Sequence, residues 1–224
     1  MNPTKSDNDE REQRILSVAS DLIAHYGYDK TTVSDIAREA GISKGAIYLH
    51  FDSKDALFEA LLQQELRAYS TRWLELLEAD EKGGTLGGMY KNTLYALHES
   101  PLMSAFFRQD TRILGSYLHQ PDNFFRRQQD QDARFIFAKI MQDASLIRQD
   151  VDARVLSHIM DMLAYGLVSM ADFKAEAQIP PIDALIEGIA VMMDRAFTPD
   201  HVDSETGKSI LRQMLAPYVD TEQE

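Results

Sequence analysis

The sequence predicts an all-α protein with three short N-terminal helices, a connecting helix and a larger helical domain. Across the 224 residues, apolar side chains recur three and four positions apart between short polar breaks, which is typical of helices that pack on a core. Segments that alternate apolar and polar residues, as half-buried strands do, are almost missing. Glycine, proline, serine and aspartate stand where helices commonly begin or end.

The composition excludes several classes of protein. No stretch approaches the roughly 18 consecutive apolar residues that a membrane-spanning helix requires. Without such a stretch, we expect no membrane contact. Cysteine is absent, which excludes disulfides and thiolate metal sites and agrees with an expected location in the reducing cytoplasm. The net charge of -13 argues against extensive nucleic-acid binding. However, residues 1–54 hold 7 basic and 9 acidic side chains, a net charge of only -2, whereas residues 55–224 carry -11.

Three short helices are predicted within the N-terminal quarter. The first ends before Gly27 and carries an apolar stripe of Ile15, Val18, Ala19, Leu22, Ile23 and Tyr26. The second opens at Thr32, which forms a capping-box pattern with Asp35, and Gly41 closes it. Ser43 then caps the third helix.

Longer helices follow. A connecting helix over about residues 53–79 precedes the sequence GGTLGG at Gly83–Gly88, which predicts a flexible break. Further helices are expected near residues 88–99, 102–116, 122–148, 152–174, 181–197 and 204–217. We therefore expect two domains, one over residues 1–54 and a larger helical one over residues 55–224.

Residues 31–62 carry the most informative pattern, because two short helices joined by a turn at Gly41 make a helix-turn-helix. The helix that begins at Ser43 needs Ile47 and Phe51 for packing against its neighbours. The side chains then left to enter the major groove of DNA are Ser43, Lys44, Gly45, Ala46, Tyr48 and His50. The competing interpretation is a purely structural unit in which Tyr48 is a core aromatic residue.

This stretch resembles the TetR family of one-component transcriptional regulators. The resemblance rests on Thr32, Val33, Asp35, Ile36, Ala37, Ala40, Gly41, Ile42, Ser43, Gly45, Ile47, Tyr48, His50, Phe51, Ser53, Lys54 and Leu57. It implies that Thr32 and Lys54 contact phosphates and that the Tyr48 hydroxyl lies on the DNA backbone. It also implies that Ser43, Lys44, Gly45, Ala46 and His50 face bases or the groove floor. Thr32 and Ser43 stand at helix N-termini, where free N–H groups favour a phosphate.

The helices near residues 152–174 and 181–197 are apolar on more than one face. Such a helix must be buried on several sides, and a second copy of the chain is the economical partner for one of them. We therefore predict a four-helix homodimer interface, which the resemblance also implies, formed by Leu156, Leu163, Leu167, Met170, Leu185, Ile189, Met192 and Met193. Two recognition helices about 34–36 Å apart would match a palindromic operator in double-stranded DNA.

Aromatic and methionine residues are concentrated between residues 89 and 165. The resemblance implies that the corresponding helices enclose a small-molecule cavity, and these surroundings suit a hydrophobic or aromatic effector. The side chains expected to line it are Tyr90, Met103, Phe106, Phe107, Tyr117, Phe135, Met141 and Tyr165. The open alternative is that each of them belongs to the ordinary core.

No enzymatic motif is complete in the chain. Gly207, Lys208 and Ser209 match a phosphate-binding loop only in part, because Val202 stands where the motif requires its first glycine. We therefore predict a repressor without catalytic activity, cofactor or metal, which a ligand releases from DNA. The alternatives are an architectural DNA-binding protein of the same fold without an effector, and a helical interaction module that binds no DNA.

Overall fold

A computed structural model of the chain describes residues 5–124, 126, 133–172 and 174–219. Within these ranges every regular segment is helical, which confirms the all-α prediction. The α-helices are α1 (Lys5–Tyr26), α2 (Val33–Glu39), α3 (Lys44–Tyr48), α4 (Lys54–Ala79), α5 (Leu86–Glu99), α6 (Pro101–Arg108), α7 (Thr111–Leu114), α8 (Ala133–Asp143), α9 (Ala153–Ser169), α10 (Ile182–Phe197) and α11 (Ser204–Leu215). Short 3-10 segments cover Gly115–His119, Met170–Asp172 and Glu176–Gln178. No helix in this part of the chain combines the length and the apolar composition that a membrane span requires.

The chain divides into two compact units. The first comprises Met1–Glu65 and Pro101–Gln128, and the second comprises Leu66–Ser100 and Gln129–Glu224. The N-terminal domain expected over residues 1–54 lies within the first unit, which also contains the beginning of α4 together with α6 and α7. Residues 101–128, expected in the larger domain, therefore belong with the N-terminal helices.

The caps and the turn of the first unit form where the sequence places them. The Thr32 hydroxyl accepts the Asp35 N–H at 3.1 Å, and the Asp35 carboxylate accepts the Thr32 N–H at 3.2 Å. The Ser43 hydroxyl accepts the Ala46 N–H at 3.1 Å and so starts α3. Gly41 between the two helices has a φ of 68°, which other residues adopt only with strain. The core beneath them includes Ile15, Ala19, Ile36 and Ile47.

An aromatic cluster joins the segment after Pro101 to the N-terminal helices. The centroid of the Phe58 ring lies 4.8 Å from that of Tyr28 and 4.8 Å from that of Tyr117. The Tyr117 hydroxyl donates to Glu59 at 3.1 Å and accepts the backbone N–H of Phe124 at 3.0 Å. Because these rings bury a large apolar area together, they explain why residues 101–124 fold with the first unit.

The prediction of a single helix over residues 102–116 is wrong. Helix α6 ends at Arg108, and Gln109 follows with a φ of 51°. Asp110 then caps α7 by accepting the Arg112 N–H at 2.9 Å. Neither glycine nor proline marks this break, so the sequence pattern alone predicted one continuous helix.

Asp29 connects the end of α1 to the 3-10 segment at Gly115–His119. Its carboxylate accepts the Ser116 N–H at 3.0 and 3.1 Å and the Ser116 hydroxyl at 2.5 Å. These hydrogen bonds lower the pKa of Asp29 below its ordinary value. A carboxylate with a lowered pKa stabilises the fold above its unfolded pKa, about 3.9, and loses that contribution as the pH falls through its folded value.

We expect Asp29→Asn to lower the thermal unfolding midpoint at pH 7, and the difference from the native chain should shrink below about pH 4. Circular dichroism melts at neutral and acidic pH measure that difference. Asp21→Asn, on the exposed surface of α1, is the matched control and should change the midpoint little at any pH. A deficit for Asp29→Asn that stays constant with pH would contradict the role given to its charge.

The second unit is built around two helix pairs, α5 with α10 and α8 with α9. Its core contains Leu94, Met141, Leu156, Ile186 and Met193. The positions of α5, α10 and α11 agree with the expected helices, whereas α9 ends at Ser169, earlier than expected. Of the helix expected over residues 122–148, the structure describes α8 over Ala133–Asp143 and helical backbone at residues 124 and 126, and residues 125 and 127–132 lie outside the described residues.

The Gly83–Gly88 segment is packed, so the prediction of a flexible break is wrong. All four of its glycines are buried. The Gly84 N–H donates to the Ser204 hydroxyl at 3.0 Å, and the Gly87 N–H donates to the Asp194 carboxylate at 2.7 Å. The glycines here allow backbone segments to pack closely. A glycine-rich sequence looks the same whether it is closely packed or flexible, so the sequence alone does not distinguish the two.

Candidate nucleic-acid interface and internal cavity

Helix α3 presents one face to the core and the other to solvent. Ile47 is buried, whereas Lys44, Gly45 and Tyr48 are exposed. The Lys44 ammonium lies 5.9 Å from the centroid of the Tyr48 ring, so the two side chains share one surface. This surface combines the flexible cation of Lys44, the phenol of Tyr48 and Gly45, which has no side chain and so lets α3 approach DNA closely. Such a surface suits a DNA groove.

The two remaining predicted residues of α3 flank this surface. Ser43 is exposed, and its hydroxyl keeps a hydrogen to donate although its oxygen accepts the Ala46 N–H. Ala46 is half-buried and presents only a methyl group. The structure therefore brings Ser43, Lys44, Gly45 and Tyr48 to one surface, and their contact with DNA stays a prediction.

The predicted outward position of His50 is wrong. Its side chain is only 4% exposed, and Nδ1 lies 3.6 Å from the Glu12 carboxylate of α1. The His50 ring also lies beside the ring of Phe51. Because α3 ends at Tyr48, the chain has already turned inward at His50, which packs the end of α3 against α1.

The two predicted phosphate contacts have partners within the first unit. The Lys54 ammonium donates to the Tyr28 carbonyl oxygen at 2.6 Å and lies 3.9 Å from the centroid of the Tyr28 ring. Burial lowers the pKa of Lys54. Thr32 is exposed, and its hydroxyl donates to the Asp35 carboxylate at 2.6 Å. An ammonium has three donors, so Lys54 can also donate to a phosphate, whereas the Thr32 hydroxyl would have to release Asp35 to do so. Phosphate contact stays a prediction for both residues.

Leu49 is a candidate that the sequence analysis missed. At 84% exposed it is the most exposed large apolar side chain among the described residues, and it caps α3 directly after Tyr48. Since Ile47 and Phe51 face inward, the spacing could have predicted an outward Leu49. Apolar side chains on such a helix are the kind that contact thymine methyl groups.

The second unit contains a cavity of about 240 Å³. Its walls are mainly apolar and aromatic, and they come from α4, α5, α8, α9, α11 and the residues after α11. The lining side chains are Tyr69, Trp73, Met89, Tyr90, Thr93, Ala133, Arg134, Phe137, Met160, Leu211, Met214, Leu215 and Tyr218.

Of the side chains predicted to line a cavity, only Tyr90 does so. Met141 is buried in the core, Tyr165 is exposed, and Phe135 lies beneath the Arg154 guanidinium at 4.2 Å. The others belong to the first unit, namely Met103, Phe106, Phe107 and Tyr117. These residues do not line this cavity, because composition does not reveal which face of each helix turns inward.

The contributions of the connecting helix and the last helix to the cavity were also missed. Tyr69 and Trp73 lie on α4, and Leu211 and Met214 lie on α11. Their apolar spacing was visible in the sequence, but nothing in it placed the two helices on one cavity.

The cavity wall includes polar side chains, among them Arg134, Tyr69 and Tyr90. Nη1 of Arg134 donates to the Asp161 carboxylate at 2.5 Å. Burial raises the pKa of the Tyr69 phenol to about 12, and the positive charge of Arg134 acts in the opposite direction. Burial likewise raises the pKa of Tyr90, whose hydroxyl donates to the Met160 carbonyl oxygen. Both phenols therefore stay protonated at neutral pH.

Helices α9 and α10 each keep apolar side chains in solvent, and we call these the outer strip. Its members are Val155, Met162, Tyr165, Val191 and Met192. A Cβ atom added at Gly166 or Gly188 would meet nothing within 4 Å, so both glycines open onto the surface of the unit.

Two of the predicted interface residues are wrong. Leu156 and Met193 have no exposed surface, so their side chains pack in the core of the unit and cannot contact a second copy. The other six keep partial or larger exposure, namely Leu163, Leu167, Met170, Leu185, Ile189 and Met192. Their contact with a second copy stays a prediction.

Comparison with known proteins agrees with this architecture. Residues 15–61 match the family of bacterial regulatory proteins described as the tetR family. An HTH-type transcriptional repressor of Mycobacterium tuberculosis is 29% identical over 165 residues, which cover 71% of this chain and 81% of that protein. The uncharacterized HTH-type transcriptional regulator YuxN of Bacillus subtilis is 37% identical over 93 residues, and the match spans 42% of this chain but only 31% of YuxN.

A solved structure shares the fold. The transcriptional regulator FadR from Bacillus subtilis, in complex with stearoyl-CoA, has a TM-score of 0.59 at 17% identity, over 81% of this chain and 96% of that chain. The helix-turn-helix and these relatives define a DNA-binding transcriptional regulator, which is not a class of enzyme. Residues 15–61 therefore carry the helix-turn-helix that is typical of the TetR family.

Proposed function

We propose that the protein is a homodimeric repressor that binds a palindromic operator and leaves it when a small hydrophobic or aromatic ligand binds. The observation that carries the proposal is the orientation of α3. Buried Ile47 and Phe51 fix the helix, while Lys44 and Tyr48 extend into solvent on its other side. This orientation supports DNA binding over a purely structural unit.

The charge distribution supports docking through the N-terminal helices. A dimer carries twice -13, or -26, and residues 55–224 contribute -22 of that charge. Phosphates are therefore repelled by most of the protein surface and approach the N-terminal helices at the lowest electrostatic cost. We expect weak non-specific DNA binding and an affinity that falls steeply with salt.

The outer strip supports dimerisation. Methionine, valine and tyrosine side chains are exposed on both α9 and α10, and exposed apolar side chains of this kind mark protein interfaces. Gly166 and Gly188 carry no side chain on that surface, so helices of a second copy can approach closely. A two-fold axis through the strip gives a self-complementary interface and two copies of α3 for two half-sites.

The cavity supports a ligand response over an architectural role. Tyr69 and Trp73 of the cavity lie on α4, the helix that also carries Leu57 and Phe58 in the core of the first unit. A ligand that contacts α4 therefore acts on an element that both units share. The related fold of FadR is in complex with stearoyl-CoA, which is consistent with an effector for this fold.

Selection of bound fragments from random DNA tests the proposal. The native protein should enrich a two-fold symmetric sequence, and a ligand of the proposed class should release the selected fragment. Enrichment without release by any ligand would favour the architectural alternative. Absence of enrichment would favour the interaction module and refute the proposal.

Lys44→Ala and Tyr48→Phe should each weaken binding to the selected fragment by about tenfold, because each removes a charge-assisted or hydroxyl contact to DNA. Fluorescence anisotropy of the labelled fragment measures the affinity. Lys139→Ala removes the same charge from an exposed position on α8 and should leave the affinity nearly unchanged. Equal affinities for Lys44→Ala and Lys139→Ala would contradict the assignment of Lys44.

A further inference from the structure

We infer that the cavity selects small amphipathic carboxylates, whose carboxylate pairs with Arg134 and accepts a hydrogen bond from the Tyr69 hydroxyl while the apolar remainder packs against the aromatic wall. This inference rests on the proposed ligand response and goes further by naming the chemical class of the ligand.

The size of the cavity limits the ligand. Its volume of about 240 Å³ lies below the roughly 300–1,000 Å³ of sites for drug-sized molecules. An aryl group or a short alkyl chain with one polar end fits this volume. The wall that meets the apolar part includes Trp73, Met89, Phe137 and Met214.

Arg134 gives the cavity its selectivity for anions. Its side chain is only 23% exposed, so the guanidinium is partly removed from water beside apolar groups. Arg134 lines the same cavity as Tyr69 and Tyr90, and its positive charge acts to lower the pKa of both phenols. A cationic ligand would be repelled by this charge, whereas a carboxylate would add a favourable charge interaction that a neutral ligand lacks.

The partner of Arg134, Asp161, can be replaced by a ligand carboxylate. It accepts a hydrogen bond from Nη1 of Arg134, and its own side chain is 57% exposed. When a ligand carboxylate takes its place, Asp161 returns to water and no charge is left buried without a partner.

Tyr69 supplies the second polar contact. Its phenol lines the same cavity and stays protonated at neutral pH, so it donates a hydrogen bond to an oxygen. The Tyr90 hydroxyl donates its hydrogen to the backbone of α9. A carboxylate placed between Arg134 and Tyr69 therefore receives charge-assisted hydrogen bonds from two side chains.

Matched acid and amide ligands test the inference. The chain has one tryptophan, Trp73, and it lines the cavity, so its fluorescence reports binding without DNA. The probes are 4-phenylbutyrate with 4-phenylbutanamide, and octanoate with octanamide, because each pair differs in charge but hardly in shape. The acids should bind about tenfold or more tightly than the amides.

Variants locate the source of that preference. Arg134→Gln should abolish the preference for the acid while the amide still binds, and Tyr69→Phe should reduce it. Arg148→Gln removes an arginine whose partner is Asp150 and which does not line the cavity, so it should keep the preference. Retained binding of the amide, together with an unchanged circular dichroism spectrum, shows that Arg134→Gln has folded.

The outcomes separate this inference from the proposed function. Equal binding of acid and amide to the native chain overturns the inference even if Arg134→Gln fails to fold. No binding of either acid up to its solubility limit also overturns it. The DNA selection experiment is independent of Trp73, so operator binding with release by a neutral compound would keep the proposed function and reject the carboxylate.

Discussion

A double variant carrying Met162→Asp and Met192→Asp should sediment as a single subunit and bind the selected operator about 100-fold or more weakly than the native protein. Met162 is 65% exposed and Met192 is 45% exposed in the isolated subunit. Both carboxylates therefore stay hydrated in a monomer and cost the fold little. In the proposed interface they would lose their water without gaining a positive partner, which costs several kcal/mol.

The loss of affinity follows from the loss of the second contact. A dimer holds both copies of α3 near their half-sites, so the second copy binds at a high effective concentration once the first is in place. A monomer binds one half-site only, and its own α3 is unchanged. The variant should therefore retain weak binding to a single half-site while it loses the additional affinity for the palindrome.

Sedimentation velocity and operator titration measure the two effects together. The control is Ile136→Asp with Ile140→Asp, because both isoleucines are exposed on α8, outside the outer strip, and the charge change is the same. This control should remain dimeric with nearly native affinity. Dimerisation of the Met162 and Met192 double variant would refute the proposed interface.

Local signals predicted the caps of α2 and α3 and the turn between them well because these signals act over short distances. The side chains of Thr32, Asp35 and Ser43 accept hydrogen bonds from backbone N–H groups in the first turn of their own helices. Gly41 adopts the positive φ that its turn requires. Such interactions do not depend on the rest of the chain, so the sequence alone shows them. His50 was misjudged because α3 ends at Tyr48, and that end depends on how the next segment packs.

The cavity and the break after α6 could not be predicted in the same way. Aromatic composition predicted a cavity, but the faces that line it depend on contacts between different helices, such as the hydrogen bond from Trp73 of α4 to the Met89 carbonyl oxygen of α5. Tyr117 was predicted to line the cavity because it is aromatic, but its ring packs on that of Phe58. Periodicity defines the apolar face of a helix, but it does not identify the partner of that face.

We expect Gly207→Ala to destabilise the second unit by about 2–3 kcal/mol, although alanine favours a helix over glycine by about 1 kcal/mol. A Cβ atom at Gly207 would lie 2.0 Å from the Gly84 carbonyl oxygen, which belongs to backbone and has no side chain to rotate away. Helix α11 must therefore move off the Gly83–Gly88 segment.

The neighbouring contacts of α11 should weaken with that movement. The Ser204 hydroxyl accepts the Gly84 N–H at 3.0 Å and donates to the Glu81 carbonyl oxygen at 2.9 Å. Because α11 also contributes Leu211 and Met214 to the cavity, its displacement should open the cavity to water. The emission of Trp73 should then shift to longer wavelength even before the unit unfolds.

Gly188→Ala distinguishes close packing from helix propensity. Both glycines lie within α-helices of the second unit, but a Cβ atom at Gly188 would meet nothing within 4 Å. Propensity alone predicts that both substitutions raise stability, whereas packing predicts a loss for Gly207→Ala and an unchanged or slightly raised midpoint for Gly188→Ala. Denaturant unfolding followed through Trp73 measures both. If Gly207→Ala were as stable as Gly188→Ala, then the contact between α11 and Gly84 would not hold α11 in place.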